Sequence, residues 1–96
     1  MGRLNGKVAV ITGGAGVIGK AAAKRFLQEG AQVLLTDLDE AALAESCEQI
    51  GSDNIKFIAA DVTSAADNIA IFKAAAQHFG GVDIFLANAG IEGNVD

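Results

Sequence analysis

The chain has 96 residues, 51% of them apolar, enough for one small domain with its own core. A formal charge of −5, with only seven Lys and Arg and no run of them, argues against a nucleic-acid partner. Apolar stretches of four or five residues are too short to span a membrane, no signal-peptide pattern is visible, and Cys47 is the only cysteine, so a cytoplasmic, reducing setting is expected.

Four short apolar runs alternate with longer helical patterns. The first, Val8–Ile11, is continuously apolar, as in a parallel strand buried on both faces. Thr12-Gly13-Gly14-Ala15-Gly16-Val17-Ile18-Gly19 follows it, and a helix is predicted from about Val17 to Glu29. Gly30 then suits a left-handed position past the helix end. The second run, Val33–Leu35, leads through Asp37 into a helix from about Asp39 to Ile50, with Asp39 as N-cap and Gly51 after the end. Leu43, Cys47 and Ile50 form its inward stripe, where Cys47 fits a packed core residue better than a redox thiol. The third run, Phe57–Ala60, precedes Asp61 and a helix from about Ala65 to Phe79. Ser64 and Asp67 resemble a capping box there, and Ile69, Phe72, Ala76 and Phe79 supply the apolar face. After Gly80-Gly81 the fourth run, Ile84–Ala87, enters Asn88-Ala89-Gly90.

The order β-α-β-α-β-α-β with right-handed crossovers predicts an α/β partial Rossmann fold. Its parallel four-stranded sheet has the order 3-2-1-4 and carries three helices. The first two helices share one face, and the third covers the other. Residues 1–96 are thus expected to be the N-terminal part of a dinucleotide-binding domain.

The glycine-rich turn sits where a buried strand meets a helix. Such a turn aims backbone N–H groups at an anion, and the helix dipole adds roughly half a positive charge. Gly14 to Lys20 also matches G-x-x-x-x-G-K, the start of a nucleoside-triphosphate loop, but Ala21 has no hydroxyl to hold Mg²⁺. Asp37 lies at the end of the second strand, eighteen residues beyond Gly19, where a carboxylate reaches the adenosine ribose of a bound dinucleotide. A 2′-phosphate would meet that carboxylate at close range. Unit charges at about 4 Å repel by about 1 kcal/mol in water and about 4 kcal/mol at an effective dielectric of about 20. For a nearly doubly charged phosphate this becomes roughly 2–8 kcal/mol, a preference of about thirtyfold or more. Position 38 is Leu, and no Lys or Arg lies between Gly13 and Gly19 to neutralise the phosphate, so NAD(H) is the expected cofactor.

Thr12-Gly13…Gly19, Asp37, Asp61-Val62 and Asn88-Ala89-Gly90, in that order, resemble the short-chain dehydrogenase/reductase family over essentially the whole chain. The resemblance implies that Asp61 bonds the adenine amino group while the Val62 backbone faces the ring. It implies that Asn88, Ala89 and Gly90 stabilise the sheet and line the adenine-ribose side of the cleft. Thr12 would brace the loop against the Asn88 segment, and Ile18 would pack beneath the pyrophosphate. The family's usual loop carries glycine where this chain has Val17; Gly16 instead makes T-G-x-x-G-x-x-G, the spacing of the extended, sugar-nucleotide-modifying branch.

The cofactor-binding set is therefore Thr12, Gly13, Gly16, Val17, Ile18, Gly19, Asp37, Leu38, Asp61, Val62, Asn88, Ala89 and Gly90. No residue is assigned to catalysis or to a metal. The family's Ser and Tyr-x-x-x-Lys would lie after Asp96, and the chain contains no tyrosine, so by itself it is expected to bind without catalysing. The reading is the NAD(H)-binding half of an alcohol/ketone oxidoreductase. The alternatives are a stand-alone binding module and an epimerase or dehydratase fragment of the extended branch. Self-association or a complementary C-terminal fragment is expected to cover the apolar surface beside the fourth strand.

Overall fold

The structure, a computed structural model, describes residues 2–88. The expectations placed on Ala89 and Gly90 lie outside the described residues. Along the chain run β1 (Val8–Thr12), α1 (Val17–Gln28), β2 (Gln32–Asp37), α2 (Glu40–Ile50), β3 (Ile55–Ala59), α3 (Ala65–Phe79) and β4 (Ile84–Leu86). All strand pairs are parallel and the sheet order is β3-β2-β1-β4, as the alternation predicts.

Strand alternation divides the core into two layers. Ile11, Val33, Leu35 and Ile55 point to one face, where Ala23 of α1 and Leu43 of α2 close over them. Val10, Leu34 and Ala60 point to the other and meet Ile71 and Ala75 of α3. Every residue of β1 is buried, which explains its unbroken apolar pattern. Complete burial of a side chain such as Leu43 contributes roughly 1.5–3 kcal/mol.

The helix ends follow their local chemistry. Asp39 accepts a hydrogen bond from the Ala42 amide at 3.1 Å and so caps α2. At the end of α1, Gly30 adopts φ 93°, and the Gly30 and Ala31 amides donate back to Leu27 O and Phe26 O, both at 3.0 Å. This paired return is the Schellman motif, which satisfies carbonyls that the finished helix leaves open.

Five expectations need correction. β3 is displaced toward the N-terminus, Ile55–Ala59 in place of Phe57–Ala60, because Val33 pairs with Ile55 and Asp37 with Ala59. β2 extends past Leu35 to Asp37, and β4 stops at Leu86, one residue before Ala87. The capping box is only half formed: Ser64 Oγ accepts from the Asp67 amide at 3.2 Å, while the Asp67 carboxylate accepts from the Asp61 amide at 2.7 Å. Finally, α3 does not present the Ile69–Phe72–Ala76 stripe to the sheet. Ile71 and Ala75 are buried, whereas Ile69 is 58% and Phe72 46% exposed. The two stripes lie about 100° apart on the helix and both are apolar, so periodicity alone does not choose between them. Packing makes the choice: Ile71 and Ala75 meet Val10, Leu34 and Ala60, with Phe79 packed against the same cluster. On the same helix, Asn68 ties the first turn to its lead-in by donating to Val62 O at 2.8 Å and Ser64 O at 3.0 Å.

Candidate functional site

β1 and β2 end together, with Thr12 in register with Thr36, and the turn after β1 is tied to the end of β2. The Gly14 amide donates to Thr36 O at 2.9 Å, and the Ala15 amide donates to Asp37 Oδ2 at 3.1 Å. The Gly16 amide closes the turn on Gly13 O at 3.1 Å. Gly13 takes φ 67°, a left-handed conformation that favours glycine.

Gly14 and Gly19 are needed for space. A Cβ on Gly14 would stand 2.8 Å from Leu35 Cβ, and one on Gly19 would run into the Gly13 carbonyl oxygen. Gly14, Gly16 and Gly19 thus have the G-x-G-x-x-G spacing, in which the outer glycines permit tight turning and close helix packing while the middle one admits a pyrophosphate. Gly14 was absent from the expected site residues, although this spacing could have found it.

At the mouth of the turn, α1 starts without help from any side chain. Gly16 is its N-cap in an extended conformation, φ −80° and ψ 171°, with no side-chain capping bond and no acidic residue in the first turn. The opening amides of a helix have no partner within the helix. Those of Val17, Ile18 and Gly19 therefore form an electropositive end suited to an anion. Val17 is 82% and Ile18 56% exposed, so their side chains flank this end rather than fill the core.

Asp37 stands beside the turn. Its Oδ1 accepts from the Leu38 amide at 2.7 Å while Oδ2 holds Ala15. Each oxygen keeps a second lone pair for a ligand hydroxyl. Leu38 is 72% exposed at the same edge, and Val62 is half-buried against the core under α3.

On the other side, the Thr12 hydroxyl joins β1 to the segment after β4. It accepts from the Asn88 amide at 2.8 Å and donates to Leu86 O at 3.4 Å. Asn88 is buried, and its Nδ2 has no partner among the described residues. Asp61 is engaged by its own turn. Its Oδ1 accepts from the Thr63 hydroxyl at 2.6 Å and the Thr63 amide at 2.9 Å, in that order the causes that hold its carboxyl below the usual carboxylate range. The cap of α3 is Ser64, not Asp61.

Thr12, the glycine loop, Asp37 and Asn88 are therefore brought into one hydrogen-bonded edge, with Asp61 at its margin. The edge offers anion-binding amides and a hydroxyl-accepting carboxylate, a set suited to holding a nucleotide. Among the described residues no group of three or more His, Cys, Asp or Glu side chains could hold a metal ion, and no helix is long and apolar enough to cross a membrane. Burial pushes the half-buried Cys47 thiol up, in keeping with a packed place on the inward side of α2.

The comparisons with known proteins agree with this geometry. The family model of the short chain dehydrogenases matches residues 7–96. The galactitol 2-dehydrogenase of Agrobacterium fabrum is 45% identical over 89 residues, covering 93% of this chain and 34% of that protein. A short chain dehydrogenase from Mycobacterium smegmatis superposes with a TM-score of 0.86 at 34% identity, covering 93% of this chain and 39% of the other. The 3-ketoacyl-(acyl-carrier-protein) reductase of Brucella melitensis, solved in complex with NADH, gives 0.80 at 43% identity over 85% of this chain and 33% of that one. The chain spans about a third of the length of the curated relatives it matches. With the sheet order, the glycine turn and the family match all in agreement, the chain belongs to the short-chain dehydrogenase family.

Proposed function

We propose that this chain is the NAD(H)-holding part of an oxidoreductase that interconverts an alcohol and a carbonyl compound. The observation that carries the reading is the glycine-opened N-terminus of α1, free of side-chain caps, with the Asp37 carboxylate beside it. The first-turn amides of α1 would hold the pyrophosphate, with Gly16 admitting its close approach and Ile18 beneath it. Asp37 would accept hydrogen bonds from the adenosine ribose. Leu38, Asp61 and Val62 would surround the adenine, and Asn88, Ala89 and Gly90 would line the other wall. The nicotinamide, when bound, supplies the hydride acceptor or donor. This chain's own residues bind and orient it, and the chain contains no tyrosine to serve as the family's proton-transfer group.

Asp37 also sets the cofactor preference. A 2′-phosphate would be placed against a fixed carboxylate, so NAD⁺ should bind about thirtyfold more tightly than NADP⁺, or better. Calorimetric titration of both dinucleotides into the chain tests this. A preference for NADP⁺ would overturn the role given to Asp37, and binding of neither would overturn the cofactor reading.

The hydride-transfer reading also assigns a cover for the face around Ile69, Phe72 and Phe85, where the Phe72 and Phe85 rings stack at 5.6 Å between centroids. The occupant is the part of the fold that the longer relatives carry in addition to this region. Supplied as a separate polypeptide, that part should bind the chain and restore turnover. Self-association of the chain without response to the added part would refute this assignment.

A further inference from the structure

Three consecutive amides of the glycine turn are already engaged by the protein, and only one of them by a side chain. Gly14 N–H is held by a main-chain carbonyl of β2, and Gly16 N–H by the Gly13 carbonyl within the turn. Between them, Ala15 N–H is held by Asp37 Oδ2 at 3.1 Å. The second oxygen of the same carboxylate is fixed by Leu38 N–H at 2.7 Å. The carboxylate is thus braced against β2 through one oxygen and supports the middle of the turn through the other.

We propose that Asp37 is a positioning residue for the anion site as well as a partner for the ribose: through Ala15 N–H it holds the turn in the shape that opens the first turn of α1 to a diphosphate. The proposal rests on the cofactor reading above for its ligand, but the support of the turn is a property of the ligand-free chain.

Charge and support make opposite demands on the anion site, and this separates them. Removing a carboxylate beside an anion site weakens electrostatic repulsion, which by itself strengthens anion binding. Losing the support of the turn weakens binding, because the ligand must then order the turn at its own cost. Asp37→Asn removes the charge and leaves one acceptor oxygen in place of two, to serve either the Ala15 or the Leu38 amide; Asp37→Ala removes every acceptor. Charge is equal in the two variants, so a difference between them reports the hydrogen bonds that the side chain makes.

The experiment measures two quantities on the wild type and both variants. Amide hydrogen exchange at Ala15 is followed by NMR, with the Val10 and Leu34 amides of the buried strands as references for general unfolding. Affinity is measured for inorganic pyrophosphate, a probe that touches only the anion site. Ala15 should be most protected in the wild type and should exchange at least tenfold faster in Asp37→Ala while the reference amides stay unchanged. Asp37→Asn should bind pyrophosphate at least as tightly as the wild type, and Asp37→Ala at least threefold more weakly than Asp37→Asn. Exchange at Ala15 that is no faster in Asp37→Ala than in the wild type, or pyrophosphate affinity of the two variants that does not follow their Ala15 protection, overturns the proposal. If no form binds pyrophosphate or NAD⁺, the cofactor reading fails, and with it the ligand-facing half of the proposal; Ala15 exchange then decides the support alone.

Discussion

Thr12 and Thr36 are register partners on β1 and β2, both buried, and valine at each should shift stability in opposite directions. The Thr12 hydroxyl is the acceptor for Asn88 N–H at 2.8 Å, so Thr12→Val strands a buried amide at a cost of about 1–3 kcal/mol. The Thr36 hydroxyl is buried without a hydrogen-bond partner among the described residues. Protein mutational data put the burial of such an unpaired group at about 1–3 kcal/mol, which Thr36→Val should recover. Even at the low end of both ranges the variants differ by about 2 kcal/mol. For a domain of this size each kcal/mol moves the midpoint by about 4–8 °C, so the two melting curves should stand roughly 8–16 °C apart with the wild type between them. Thermal melting followed by circular dichroism reads this directly. If both variants shift the same way by similar amounts, hydrogen-bond satisfaction is not what distinguishes the two threonines.

Gly19→Ala should destabilise the chain by up to about 2 kcal/mol and so lower the urea midpoint. The added Cβ would lie 2.8 Å from Gly14 Cα and collide with the Gly13 carbonyl oxygen, and backbone neighbours cannot rotate aside, so an overpacking cost toward the upper end of about 1–3 kcal/mol outweighs the helix-propensity gain of about 1 kcal/mol. A midpoint at or above the wild-type value contradicts this. Asp39→Ala should cost about 1 kcal/mol by freeing the Ala42 amide, and an unchanged midpoint would show that the cap adds nothing to α2. Thr63→Ala should raise the Asp61 carboxyl only part of the way to its ordinary range, since the residue 63 amide still donates. The Asp61 carboxyl is held low in the folded chain, so its stabilising effect is complete above the ordinary carboxylate range and is lost as pH falls through the lowered value. NMR titration of the Asp61 side-chain carbon follows both, and a wild-type titration curve in Thr63→Ala would remove the hydroxyl as a cause.

The fold was legible in the sequence where local chemistry and tertiary packing ask for the same residues. Val8 to Ile11 must be buried on both faces, Asp39 precedes its helix as an acceptor, and Gly30 follows one as a left-handed residue; all three are visible without coordinates. It was illegible where two solutions share one local pattern. The two apolar stripes of α3 cannot be ranked from spacing, because both are apolar and the choice is made by packing of Ile71 and Ala75 against Val10, Leu34 and Ala60. The start of β3 depends in the same way on its pairing with β2, since Ile55 joins the sheet opposite Val33 although Lys56 interrupts the apolar run. At the candidate site, residue types pointed to Asp37 and the glycines. The link between them runs through the Ala15 amide, a group that every residue but proline possesses and that leaves no mark in the sequence.

Val17 brings these strands of reasoning to one position. It stands where the family's usual loop has glycine, and a side chain there suggests an obstructed phosphate site. The geometry assigns the need for glycine elsewhere: to Gly13 by its positive φ, and to Gly14 and Gly19 by the absence of room for a Cβ. Val17 follows the extended Gly16 and begins α1, with its side chain largely in solvent. At 82% exposure the isopropyl group stands in solvent beside the N-terminus of α1 and is not packed into the turn. The loop thus keeps the G-x-G-x-x-G spacing at Gly14, Gly16 and Gly19, with Val17 at one of its variable positions.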